Sequence, residues 1–173
     1  MAFTVQDDNG LVSGANAYAD LAYVRDYHAD RGVDLSAPGT SDAALQAAII
    51  KATMYVDTRY TFLGERRNHD QDTEWPRRDA WDRSGYLING IPRAVKQAVA
   101  ELAQRALSAE LMPDPTRDET GRTVLSKSEG LTPMGESVTY AAGGAFTFPE
   151  YPTVDRLLAS AGLIRTGLTA VRA

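Results

Sequence analysis

Two histidines, 23 carboxylates and no cysteine set the limits of the chemistry this chain can perform. His69, Asp70 and Asp72 are the nearest approach to a metal-ligand group, because an imidazole and two carboxylates suit a divalent ion. Their spacing is poor, since neighbouring loop positions do not converge on one point. No metal and no cofactor is therefore expected. His28 stands late in a helical stretch, where the negative end of a helix favours a partly buried or capping imidazole; Asp26 and Asp30 flank it but fall on other faces. The serines lack a nucleophile-elbow glycine pattern, and Gly143-Gly144 lacks the lysine and following helix of a phosphate loop. No catalytic residue is expected, and the chain reads as a non-enzyme.

What remains is contact chemistry. Trp75, Pro76, Arg77, Arg78 and Trp81 cluster in a polar, charge-laced loop, and both tryptophans of the chain lie there. Tryptophan has a large apolar surface to hide and is enriched in binding hot spots. Two readings are open: the rings tuck onto the parent helices, or the cluster is a contact between protomers, with these five residues as the subunit interface. Six acids (Glu65, Asp70, Asp72, Glu74, Asp79, Asp82) alternate with five arginines (Arg66, Arg67, Arg77, Arg78, Arg83). A site for single-stranded DNA would need a cationic groove with aromatic platforms. This is the one place for it, and the carboxylates cancel the attraction unless the fold segregates them.

The elements that must position this loop are helices. Asn16 to Arg31 shows helical periodicity through Tyr18, Leu21, Ala22 and Val24, and Gly32 is placed to end it in a left-handed cap. A second helix opens at Ser41 or Asp42 and runs to about Tyr60, with Leu45, Ala48, Ile49, Ala52, Val56 and Tyr60 on one stripe. A third begins with Pro92 and runs to about Leu111, where Pro113 and Pro115 forbid continuation. Its buried face is Val95, Val99, Leu102 and Ala106, with Glu101 and Arg105 paired on the wet side. The loop at 61–91 is far longer than a compact domain tolerates without a reason.

After Pro115 the pattern changes. Thr123–Glu129 and Glu136–Tyr140 alternate with β-leaning character around Gly130, Pro133 and Gly135, which predicts a β-hairpin arm. Such an arm buries little alone and needs a surface to pack on. A glycine-rich hinge at Ala141–Gly144 precedes Phe146, Phe148, Pro149, Tyr151 and Pro152, aromatics and prolines that suit a docking peptide. Thr153 can cap a short last helix, Val154–Ala161, with Leu157 and Leu158 as an apolar ridge and Gly162 as its stop. The expected fold is mainly α: three long helices and a short C-terminal helix, with a protruding β-hairpin. Its parts are a helical core at 1–112, an arm at 113–140 and a C-terminal docking tail at 141–173.

Length and charge agree with one domain carrying appendages: 173 residues and a net charge of −5 without a long block of either sign. That balance disfavours wrapping duplex DNA. Met1–Gly10 lacks the blocks of a secretion signal, and no apolar run spans a bilayer, so a cytosolic origin and no membrane partner are expected.

The order of AYADLAYVRDYHADRG, ALQAAIIKATMYVDTRY, EWPRRDAWDRSG, IPRAVKQAVAELAQRAL, LSKSEGLTPMGESVTY and YPTVDRLLASAGL resembles the head-tail connector proteins of tailed bacteriophages, in particular the adaptor or head-completion protein beneath the portal. The same sequence family also carries the label DnaT-like, after a primosomal single-strand DNA-binding protein. The resemblance covers Ala17 to Gly162 and rests on order and spacing. It implies a structural virion protein of the neck, assembled in the host cytoplasm as a homo-oligomeric, dodecameric ring on the portal protein. The ring would meet a stopper or tail-completion protein and extend a channel through which duplex DNA passes without sequence-specific binding. On that footing Phe146, Phe148, Tyr151, Leu157 and Leu158 are the expected portal-docking residues. An acidic channel would let the genome slide, because it makes no adhesive phosphate contacts. The alternative function is single-stranded DNA binding.

Overall fold

The computed structural model describes residues 2–36, 40–114, 124–129, 136–140 and 149–164. They form two units, Met1–Leu111 with the chain from Tyr151 onward, and Met112–Glu150. The first unit holds four helices: α1 (Leu21–Ala29), α2 (Asp42–Arg59), α3 (Arg93–Ala106) and α4 (Pro152–Ser160), with a two-residue antiparallel pair, β1 (Glu65–Arg66) and β2 (Arg77–Arg78), in the long loop. The second holds an antiparallel hairpin, β3 (Val124–Glu129) and β4 (Glu136–Tyr140), with a register shift between Val124 and Ser126. The fold is therefore mainly α with a hairpin. The last helix belongs to the first unit, whereas the sequence reading placed it in a separate docking tail beginning at 141.

Helix α3 is the centre of the first unit and packs on α1, α2 and α4. Its Val95, Ala98, Val99, Leu102 and Ala103 are fully buried against Leu45, Ile49, Ala52 and Val56 of α2 and Val154 and Leu158 of α4. Alanines on both sides let the axes approach closely, and each buried Val or Leu contributes roughly 1.5–3 kcal/mol over exposure. Helix α2 begins where Ser41 accepts the Ala44 N–H on its hydroxyl at 3.1 Å. Gly32 and Gly162 take positive φ of 75° and 71° just past α1 and α4, as left-handed caps require. Pro92 is the N-cap of α3 rather than its first residue, and the helix ends at Ala106, before the prolines.

Helix α1 is shorter than its periodicity predicts. Asp20 is its N-cap, accepting from Tyr23 N–H at 2.8 Å, and Asn16–Ala19 lie outside it. Ala17 pairs in parallel with Val5, and Gln6 N–H donates to Ala17 O at 2.9 Å. Long-range pairing with the N-terminal segment thus overrides the local helical spacing.

Candidate functional site

The long loop is anchored from beneath by Trp75. Its ring has no solvent exposure and meets Phe62 edge-on at 5.5 Å between centroids. The Trp75 backbone N–H donates to Tyr18 Oη at 2.9 Å, and Tyr18 in turn donates to Asp57 Oδ1 on α2. The other carboxylate oxygen accepts from Glu74 N–H at 3.3 Å. Burial raises the Asp57 carboxyl to about 6, against the lowering effect of those two hydrogen bonds. A second buried set joins the loop to the N-terminal segment: Gln6 Nε2 donates to Thr73 Oγ1 at 3.2 Å, and Thr73 Oγ1 donates to Trp75 O at 2.8 Å. The Trp75-Pro76 peptide is cis.

Arg77 is a rivet rather than a binding cation. Its guanidinium donates to Leu63 O, Gly64 O and Glu74 O at 2.8, 2.7 and 3.2 Å, and it pairs with the Glu74 carboxylate. Only 9% of its side chain is exposed. Arg78 is exposed and paired with Glu65 at 2.6 Å. Arg66 and Arg67 donate to Gln71 O and Asp8 O. Among the described residues, Arg83 has no hydrogen-bond or ion-pair partner.

Beyond this base the chain turns back in a tight tip. Trp81 and Leu87 form an antiparallel bridge, with Ile88 N–H on Ala80 O and Asp82 N–H on Tyr86 O, both at 2.9 Å. Asp82 Oδ1 accepts from Ser84 N–H and Tyr86 N–H at 2.8 and 2.9 Å, and Gly85 supplies the positive φ of the turn. The tip presents Trp81, Tyr86 and Leu87, which are 53%, 74% and 46% exposed. Gly162 seats it on the end of α4: a Cβ there would come within 2.8 Å of Arg83 N. Beside it a groove of about 440 Å³ runs between Ile88, Arg93, Gln97, Leu157 and Leu163.

The candidate residues therefore part company. Trp75 and Pro76 are interior, so Trp75 leaves no surface for a neighbouring subunit; Arg77 is internally committed; Trp81 and Arg78 face solvent. Of the expected docking residues, Phe146 and Phe148 lie outside the described residues. Tyr151 is half-buried, edge-on to Tyr55 at 5.4 Å, and its hydroxyl donates to Leu111 O at 3.4 Å. Leu157 is half-buried, and Leu158 is fully buried in the core of its own unit, so the apolar ridge of α4 is not a free anchor. Tyr86 and Leu87 were missed, although Asp82, Gly85 and the flanking Trp81 and Leu87 carry a hairpin signal.

His28 is buried, its Nε2 2.9 Å from Ala100 O. His69 and Asp70 form an exposed pair, and no group of three or more ligating side chains gathers among the described residues. Glu101 and Arg105 pair at 2.8 Å as expected, but not on the wet side: the Glu101 side chain is only 14% exposed and also accepts from the Tyr27 hydroxyl. Burial, which opposes ionisation, is outweighed at Glu101 by hydrogen bonds from Arg105 and Tyr27, and its carboxyl lies below its ordinary value. No helix among the described residues is long and apolar enough to cross a membrane.

Fold and site together define a small helical protein with a solvent-facing aromatic hairpin on a buried tryptophan anchor. The chain belongs to the family described as "Putative DnaT-like ssDNA binding protein", whose model matches residues 1–173. No curated protein and no solved structure matches it. The family description agrees with the DnaT-like label and is silent on head-tail connectors.

Proposed function

We propose that the protein binds single-stranded DNA by stacking bases on the Trp81–Leu87 tip. The observation that carries this is the exposure of Trp81 and Tyr86 beside Arg83, which is unpaired among the described residues, in a chain whose family description names such binding. Every base has a π-face, and base–aromatic stacking contributes roughly 1–3 kcal/mol per base without demanding a sequence. The electrostatic share is small, because Arg77 and Arg78 are neutralised by Glu74 and Glu65 and the chain is acidic. One or two phosphates on Arg83 and Arg93 give a salt slope of about −0.7 to −1.4, far shallower than that of a cationic groove.

The test is a titration of the protein's tryptophan emission with an oligothymidine at low salt. Trp75 is sealed from solvent, so the change reports Trp81. Trp81→Ala should remove the signal, and Tyr86→Ala, read by the same emission, should weaken binding on the order of tenfold. An emission unmoved up to about 100 µM oligonucleotide would sink the proposal.

A second reading is the adaptor ring between portal and tail-side neck proteins. The tip favours it in one respect: an aromatic and aliphatic surface among neutralised charges is hot-spot chemistry for a protein partner. Light scattering of the protein mixed with portal rings decides it. A stacked ring complex weakened by Trp81→Ala supports this reading, and no association removes it.

A further inference from the structure

The groove beside the Trp81–Leu87 tip is built of three kinds of side chain. Ile88, Leu157 and Leu163 give it apolar walls. Gln97 lines it half-buried, with no hydrogen-bond partner for its amide among the described residues. Asp82 lines it from the tip; its Oδ1 is committed to Ser84 and Tyr86 N–H, and its Oδ2 has no partner among the described residues. Arg93 stands one turn before Gln97 on the same face of α3, whose first turn carries no acid. Arg83 follows Asp82 and Arg156 precedes Leu157, so two further exposed cations adjoin the lining. None of these three arginines has a hydrogen-bond or ion-pair partner among the described residues, whereas Arg77 and Arg78 are neutralised.

We propose that this groove holds one base of the single strand and prefers adenine and cytosine over thymine and guanine. The proposal rests on the reading of the tip as a single-strand site and adds a choice of base to it. Asp82 and Ile88 belong to tip and groove alike, so a strand stacked on Trp81 brings its next base to the groove. Arg93 and Gln97, with Cβ atoms roughly 5–6 Å apart, then meet the phosphate and the base of one nucleotide. An unpaired base exposes its Watson–Crick edge. On adenine and cytosine that edge carries an amine beside a ring nitrogen: the amine donates to Asp82 Oδ2, and Gln97 Nε2 donates to the ring nitrogen. Thymine and guanine carry a carbonyl oxygen there instead, which the Asp82 carboxylate repels. The tip tolerates any base because all four share a π-face; their edges differ. An apolar side chain from a protein partner would leave both Asp82 and Gln97 unmatched.

The full chain is titrated, by tryptophan emission at low salt, with four nonathymidine oligonucleotides whose central base is adenine, cytosine, guanine or thymine. Central adenine and cytosine should bind at least about fivefold more tightly than the other two. Gln97→Leu should bring all four within about twofold of one another. Asp82→Asn keeps an oxygen for the Ser84 and Tyr86 N–H groups but adds an N–H donor, and should move the preference toward thymine and guanine. Equal affinities in the unsubstituted chain, or one preference surviving both substitutions, would overturn the base site and leave the tip reading intact. A second measurement separates the two: in isotope-labelled Trp81→Ala protein, deoxycytidine monophosphate at millimolar concentration should move the Gln97 side-chain amide resonances further than thymidine monophosphate does. That result, with an emission silent to every oligonucleotide, would sink the tip and support the groove. No preference in either measurement overturns the groove.

Discussion

Asp57 and Trp75 show how much of this protein is decided by single side chains meeting across the fold. Trp75→Ala removes a fully buried indole and should cost about 3–5 kcal/mol in chemical denaturation; a loss below about 1 kcal/mol would mean that the anchor is dispensable. Asp57 gives a pH signature. Its folded carboxyl is raised to about 6 from an ordinary 3.8, so the native state binds the extra proton between those values. Its contribution is therefore greatest below about 3.8 and falls as pH rises through 6. Asp57→Asn keeps an acceptor for Tyr18 but does not titrate. Relative to that variant, the wild type should gain on the order of 1–3 kcal/mol as pH falls from 7 to 4, and a pH-independent difference would refute the assignment. The sequence marked both tryptophans but could not separate them. Each sits among charged neighbours, and what draws Trp75 inward is Tyr18, a residue 57 positions away.

At the scale of elements, ends were more legible than interiors. Ser41, Gly32 and Gly162 act through local backbone chemistry, and each stands where its residue type predicts. The hairpin strands also fall where alternation placed them, within one residue. Helix α1 was read too long because Ala17 and Tyr18 keep helical spacing while Val5 holds that stretch extended. The loop's β1 and β2 are too short to show any period. Their geometry depends on Gly64, which has φ of 72° and lies where a Cβ would come within 2.4 Å of Arg78 O. Gly64→Ala should lower the melting temperature by several degrees and unseat β1 from β2, seen as faster hydrogen exchange at Arg67, whose N–H bonds Pro76 O. Ser41→Ala, which loses a cap and nothing else, should cost about 1 kcal/mol on the same measurement.

For the molecule as a whole, the informative feature is where the chain leaves and rejoins its helical unit. Leu111 and Tyr151 are held together by the Tyr151 hydroxyl on the Leu111 carbonyl and by burial of both against the same core. Replacing residues 113–149 with a short Gly-Ser linker should therefore leave a cooperative, helical protein with the same Trp75 environment, checked by circular dichroism and tryptophan emission. Loss of cooperative melting in that variant would show that the arm is part of the folding unit. The shared doorway also has a meaning for descent. An excursion that begins and ends at one place on a finished core can lengthen, shorten or be traded between lineages without reoptimising any helix contact. The arm is then free to diverge at the pace of a loop while the body that bears it stays the same.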